Sequence, residues 1–171
     1  ELGIGMFGDM AYDFQTKKYQ SAGSRLKEII EEVKLADELG MDIFAMGEHH
    51  REDYAVAAPE IILAALAPVT KNIKLSSGVN VISSADPVKL YQDYATVDLL
   101  SGGRAEIMAG RGSFIESFPV FGYDLNDYNE LFAEKLELLL KLQENKPVTW
   151  KGEHRAPLHD VTVYPVAERK I

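Results

Sequence analysis

Short apolar runs alternate along this chain with longer segments in which apolar residues recur every three or four positions. The short runs predict strands over residues 2–7, 41–46, 73–82 and 105–109. The periodic segments predict helices that begin near Ser24, Pro59, Pro87 and Leu131 and end near Gly40, Val69, Gly102 and Leu142. This alternation is typical of α/β proteins with parallel strands. Four successive βα units make half of a (β/α)8 TIM-type barrel, or a small open doubly wound sheet.

A single domain over residues 1–171 accounts for the whole chain. With 46% hydrophobic residues the chain can bury one substantial core, and no low-complexity linker divides it. Beyond residue 147, Val148, Trp150 and the run 161–164 predict a short C-terminal hairpin rather than a fifth βα unit. A half barrel has two unpaired edge strands, so we expect self-association into a homo-oligomer such as a dimer.

The charge balance and the lack of cysteine disfavour several classes of function. The 18 basic and 27 acidic residues give a formal charge of -9, which repels nucleic-acid backbones and anionic membrane surfaces. Without cysteine, neither disulfides nor thiolate metal sites can form. The first residues lack a signal-peptide pattern, and no apolar run approaches the roughly 20 residues that span a bilayer. We therefore expect a cytoplasmic protein.

A carboxylate and two imidazoles follow the second predicted strand directly, as Glu48, His49 and His50. Ligands and catalytic side chains gather at the carboxyl ends of strands in α/β proteins, which favours a site over a merely hydrogen-bonded strand end. If the strand geometry persisted, neighbouring side chains would alternate and only one histidine would face a pocket. No metal site is expected, because adjacent histidines on an extended segment splay apart and the other histidines lie in the polar tail.

Two glycine-containing segments are further candidates. Gly78 interrupts the third predicted strand, which indicates either an ordinary bulge or the close approach of another group. After the fourth strand, Gly110-Arg111-Gly112-Ser113 combines flexible backbone donors with a guanidinium and suits an anion. It matches neither a nucleotide-binding G-x-G-x-x-G nor a P-loop. Arg104, near a helix end, is expected to be structural.

Several motifs together point to a known family. They are Gly47-Glu48-His49-His50, Ala85-Asp86-Pro87-Val88, Leu99-Leu100-Ser101-Gly102-Gly103-Arg104, and Gly110-Arg111-Gly112 followed by Val120-Phe121-Gly122. In their order and spacing the chain resembles the amino-terminal half of the bacterial luciferase-like flavin monooxygenases, whose fold is a (β/α)8 barrel. The chain departs from the family at Asp86-Pro87, where His-Pro is usual. The family also continues into a second half, so we expect a domain truncated at its carboxyl terminus.

The resemblance implies a monooxygenase in which reduced FMN, delivered by a separate flavin reductase, and O2 oxidise a small organic substrate. It implies that His49 is catalytic. Glu48 and His50 are then supporting residues that do not themselves touch the reacting groups. It further implies flavin contacts from a strained peptide at Gly78-Val79, from Asn80, and from the loop Gly110, Arg111, Gly112 and Ser113 at the phosphate.

Two alternatives on the same fold remain open. One is a deazaflavin-dependent oxidoreductase, in which hydride transfer replaces oxygen activation. The other is a non-catalytic half barrel that binds flavin or serves in assembly.

Overall fold

A computed structural model describes residues 1–171 and contains four βα units followed by a hairpin. The strands are β1 (Gly3–Met6), β2 (Tyr12–Asp13), β3 (Lys18–Tyr19), β4 (Ile43–Met46), β5 (Lys74–Ser77), β6 (Asn80–Val81), β7 (Ala105–Glu106), β8 (Ala109–Gly110), β9 (Val148–Trp150) and β10 (Leu158–Val161). The helices are α1 (Ala22–Glu38), α2 (Pro59–Leu66), α3 (Pro87–Ser101), α4 (Ser117–Phe121) and α5 (Tyr128–Leu142), with a 3-10 turn over Leu125–Asp127.

The main sheet has four parallel strands in the order β1-β4-β5-β7. Each strand of the main sheet pairs with the strand that follows it in the chain among these four. The strand order therefore never reverses, as it does in a doubly wound sheet. Helices α1, α2, α3 and α5 contact one another in sequence on one face. This is the arrangement of half a (β/α)8 barrel, and it confirms the predicted fold class and excludes the open doubly wound alternative.

The hydrophobic core lies between the sheet and this helical layer. Phe44, Met46, Leu75 and Ala105 project from the strands and are fully buried. They meet apolar ridges of the helices that include Ile29, Val33, Leu63, Leu66, Tyr94, Leu138 and Leu142. No helix is both long enough and apolar enough to cross a membrane.

The third and fourth predicted strands are each split in two. The run 73–82 divides into β5 and β6 around Gly78-Val79, whose peptide bond is cis. The run 105–109 divides into β7 and β8 because the Ser77 hydroxyl bonds both backbone groups of Met108. The Met108 carbonyl also accepts the Asn80 amide at 3.0 Å. The ladder resumes where β6 pairs with β8.

Several predicted boundaries were wrong by a few residues. Helix α1 is capped by Ser21, whose hydroxyl accepts the Ser24 amide, so Ser24 lies inside the first turn. Helix α2 ends at Leu66 rather than Val69. The loop after β1 contains an unpredicted hairpin, β2–β3, and the loop before α5 contains α4. The C-terminal hairpin, β9–β10, is confirmed, although its second strand begins at Leu158.

One buried carboxylate ties α1 to the start of β5. Asp37 accepts the amides of Lys71, Asn72 and Ile73 at 2.7, 2.9 and 2.8 Å. Burial raises the pKa of this carboxyl, but the three amides and the nearby Arg104 outweigh it, so the pKa lies below its ordinary value. Arg104 itself donates to backbone carbonyls around residues 67–73 and is structural, as expected.

A buried cation lies on the apolar ridge of α5. Lys135 is 1% exposed, donates from Nζ to the Ser83 carbonyl at 2.7 Å, and lies 3.8 Å from the centre of the Tyr123 ring. Burial lowers the pKa of Lys135 to about 8. The ammonium thus holds the loop before α5 against the strand ends.

We predict that Asp37→Ala lowers the free energy of unfolding by about 2–4 kcal/mol, because three backbone amides lose a charged acceptor. Glu31→Ala, which removes an exposed ion pair with Lys34 on the same helix, is the control and should cost less than about 1 kcal/mol. Because the folded pKa of Asp37 is depressed, its stabilisation is complete above the unfolded pKa and is lost as pH falls through the folded one. Urea unfolding at neutral and acid pH measures both effects. Equal losses for the two variants at neutral pH would contradict this role for Asp37.

Lys135 predicts a second rise of stability with pH, in the alkaline range, because its folded pKa is also depressed. The unfolded chain holds the lysine proton more tightly than the folded chain, so stability should rise from pH about 8 to the ordinary lysine pKa of about 10.4. Lys135→Met should remove this rise, whereas Lys27→Met, an exposed lysine on α1, should leave it unchanged. Unfolding curves recorded across that pH range test the difference, and parallel slopes for wild type and Lys135→Met would refute it.

Candidate functional site

A small cavity lies at the carboxyl ends of the strands. Its volume is about 60 Å³. It is lined by Phe7, Glu48, His49, His50, Gly78, Val79, Val81, Gly112, Ser113, Phe114, Glu116 and Ser117. The lining therefore comes from the segments after β1, β4, β5 and β8 and from the start of α4, which meet because the strands are parallel.

His49 is held on several sides. Its ring stacks on Tyr54 with centroids 4.1 Å apart, and the edges of Phe7 and Phe114 pack at 5.4 and 5.1 Å. Nδ1 lies 2.8 Å from Oε1 of Glu116. The imidazole is 7% exposed, and Nε2 has no hydrogen-bond partner within the protein.

A buried hydrogen-bond chain supports the second histidine. Nε2 of His50 lies 2.9 Å from Oε1 of Glu48, whose other oxygen accepts the Val81 amide at 2.9 Å and the Asn80 amide group at 3.4 Å. The Tyr94 hydroxyl donates to Oδ1 of Asn80 at 2.6 Å. Burial raises the pKa of Tyr94, so this donor stays protonated. The chain ties the end of β4 to β6 and α3.

The expectation that only one histidine would face the pocket was wrong. Both His49 and His50 line the cavity. Alternation ends with β4 at Met46, and the amide of His49 donates to the Val56 carbonyl, outside the sheet. Without an extended backbone, adjacent side chains can lie on the same side.

The predicted glycine loop lies against the strand ends. Gly112, at φ +74°, and Ser113 line the cavity. A side chain at Gly110 would collide with Val79, so the absence of one lets β8 approach the Gly78-Val79 peptide. These backbone segments form one wall of the cavity.

Arg111 lies outside the cavity. Its guanidinium donates to Oδ1 of Asn129 at 3.1 Å and packs over the rings of Phe132 and Tyr128 at 5.5 and 5.8 Å. It is exposed and forms no ion pair, so its charge is not neutralised by a carboxylate.

The lining residues that the sequence interpretation missed include two polar ones, Glu116 and Ser117. Glu116 contacts His49 across 67 positions of sequence, and Ser117 is 1% exposed with no partner for its hydroxyl oxygen. Ser117 begins the short helix α4 and Glu116 directly precedes it, and this helix has no apolar periodicity of its own. No local pattern marked them, and only their position shortly after the glycine loop could have drawn attention to them.

A larger cavity of about 390 Å³ adjoins the first, shares Glu48 with it and is also lined by Asn80. Carboxylates of Glu60, Asp86 and Asp93 and the rings of Phe121 and Tyr123 also line it, among other residues. Burial raises the pKa of Glu60. The two cavities together offer a polar, acidic side and an aromatic side.

Comparisons with known proteins match almost the whole chain. The sequence profile of the family described as luciferase-like monooxygenase matches residues 6–171. The oxygenase component of flavin-dependent trigonelline monooxygenase from Acinetobacter baylyi is 31% identical over 130 residues, which are 74% of this chain and 34% of that protein. The crystal structure of monooxygenase RslO1 from Streptomyces bottropensis superposes with a TM-score of 0.88 at 27% identity, covering 99% of this chain and 50% of that one.

Two more distant structures share the fold. The oxygenating constituent of 3,6-diketocamphane monooxygenase from Pseudomonas putida, solved in complex with FMN, gives a TM-score of 0.81 at 22% identity and 93% coverage of this chain. An F420-dependent secondary alcohol dehydrogenase gives 0.77 at 20% identity and full coverage. The chain spans half or less of the length of each of these four relatives. By the match of its sequence from residue 6 to residue 171, the chain belongs to the luciferase-like monooxygenase family.

Proposed function

We propose that this chain provides the flavin-binding and acid–base side of a monooxygenase that uses reduced FMN and O2 to oxidise a small organic substrate. The observation that carries the proposal is the convergence of a buried histidine, His49, with Gly78, Val79 and the glycine loop on one cavity. Family membership and the FMN complex of a structural relative support the choice of cofactor.

The residues present fit a flavin. The Ser117 hydroxyl is buried without a partner beside the cavity, which is the condition of a group awaiting a ligand. The cavity is larger than the roughly 30 Å³ that one water occupies but too small for a ring system. The body of a flavin therefore has to extend over the open face beside it. When bound, the flavin supplies the redox chemistry.

Each predicted site residue near the cavity has a proposed role in binding the flavin or in proton transfer. Gly78, Val79 and Asn80 would contact the ring, and Glu48 and His50 would keep the Asn80 amide and the Val81 backbone in place. His49 would give or take a proton at Nε2. The apolar rings around it would limit water at that atom.

The phosphate would be held by Gly110, Arg111, Gly112 and Ser113. Arg111 has no carboxylate partner, so its guanidinium can offer several donors to an anion. A glycine at positive φ, as at Gly112, lets backbone amides turn toward a bound oxyanion.

Activity of the whole protein would need more than this chain shows. We propose that a separate flavin reductase delivers the cofactor, as the name of the trigonelline relative's oxygenase component suggests. We also propose self-association through the outer strands of the sheet, β1 and β7, which each pair on one side only.

A deazaflavin-dependent oxidoreductase is the second candidate function. It is favoured by the similarity in fold to an F420-dependent dehydrogenase, which covers the whole chain. The groups around the cavity would serve either cofactor, so direct binding decides between them.

Anaerobic titration with reduced FMN, riboflavin and the deazaflavin F420 tests the proposal. We expect reduced FMN to bind, and Arg111→Ala to weaken it by about 10- to 100-fold, because charge-assisted hydrogen bonds to the phosphate are lost. Riboflavin lacks the phosphate, so its affinity should be insensitive to Arg111→Ala. Lys27→Ala, which removes one exposed positive charge far from the cavity, should leave FMN binding unchanged.

Other outcomes of this titration have definite meanings. Binding of F420 without FMN would replace the proposal with the second candidate. Equal effects of Arg111→Ala on FMN and riboflavin would remove Arg111 from the phosphate site. Binding of none of the three would overturn flavin binding by this chain.

A further inference from the structure

We infer that Glu116 is a positioning residue for His49, holding the imidazole with its proton on Nδ1 and its Nε2 lone pair toward the cavity. The inference rests on the proposed function in giving His49 an acid–base part. It assigns a role to a residue that no sequence motif marked, directly before the short helix α4.

Hydrogen-bond chemistry fixes the tautomer. A neutral imidazole has one N–H, and a carboxylate can only accept. The 2.8 Å contact between Nδ1 of His49 and Oε1 of Glu116 therefore requires the proton on Nδ1. The same oxygen lies 3.4 Å from the amide nitrogen of His50, which helps to hold the carboxylate in place.

The other contacts of His49 cannot make this choice. Tyr54, Phe7 and Phe114 pack on the face and edges of the ring and fix its plane. A half turn about the bond from Cβ to the ring would preserve that packing while exchanging the positions of nitrogen and carbon atoms. Glu116 is the only polar side chain that bonds the ring, so it alone distinguishes the two orientations.

Burial makes the pair specific. The side chains of His49 and Glu116 are 7% and 16% exposed, so water competes little for either. Arg51, the nearby cation, bonds Asp53 at 2.8–2.9 Å and leaves the carboxylate to the imidazole. In a partly buried setting a bond of this kind orients a histidine more firmly than at the surface.

The placement of Glu116 also depends on the glycine loop. Glu116 precedes α4, whose Phe118 is completely buried and anchors the helix. The loop from Gly110 to Ser113 leads into this helix. The segment proposed to bind the flavin phosphate thus also carries the group that orients the histidine.

Nitrogen-15 NMR of the histidine rings tests the inference without any cofactor. At alkaline pH, above the range where histidines ordinarily titrate, wild-type His49 should show a protonated Nδ1 and an unprotonated Nε2. In Glu116→Ala the proton should move largely to Nε2, exchanging the two nitrogen shifts. Glu116→Gln keeps an acceptor oxygen and should restore the wild-type pattern. Glu130→Gln is the matched control, because Glu130 contacts His154 at 3.4 Å on the surface, and should leave His49 unchanged.

Thermal unfolding of each variant establishes that it is folded. If Glu116→Ala does not fold, Glu116→Met fills the space without an acceptor and takes its place. An unchanged His49 tautomer in the folded variant would overturn the inference. Flavin titration of the wild type separates this result from the proposed function: a tautomer shift without flavin binding would keep the positioning role and reject the flavin site. Flavin binding without a tautomer shift would do the reverse.

Discussion

All four principal helices lie on one face of the parallel sheet, and the rest of the structure follows from that constraint. Because successive strands are neighbours and never reverse order, their carboxyl ends meet along one edge. Segments far apart in sequence, from Phe7 to Ser117, are thereby brought around a single cavity. The helices bury the apolar side of each strand, and the polar residues are left to the strand ends and their loops.

The backbone pairing is interrupted between β5–β7 and β6–β8, where a side chain bonds Met108 in addition to the Asn80 amide. The Ser77 hydroxyl serves both backbone groups of Met108, and the strands pair again beyond it at Asn80 and Ala109. The hydrophobic pattern predicted one strand where the structure has β5 and β6, and one strand where it has β7 and β8. A hydroxyl that bonds the backbone at such an interruption leaves no trace in the apolar pattern, so the division could not be read from the sequence.

The sequence predicted the βα units, the C-terminal hairpin and the placement of Glu48, His49 and His50, since strand ends are marked by an abrupt change from apolar to polar residues. It did not predict that both histidines face one cavity, because that depends on where the backbone leaves the strand. It missed Glu116, because a contact 67 residues away is decided by how α4 packs. The helix predicted from Leu131 to Leu142 includes Lys135, whose burial an apolar pattern does not indicate.

The Ser117 hydroxyl is buried beside the cavity and has no hydrogen-bond partner within the protein. Leaving a buried polar atom without any partner costs about 1–3 kcal/mol, so a bound group that displaces water from this part of the cavity without bonding the hydroxyl would incur that cost. A ligand that bonds the hydroxyl would avoid the cost and would bind only the folded state, so occupancy would protect the chain against unfolding as well as prepare it for chemistry. Resistance to heat is then a report on the cavity, and substances that belong there could be recognised by how much they raise the melting temperature before any reaction is known.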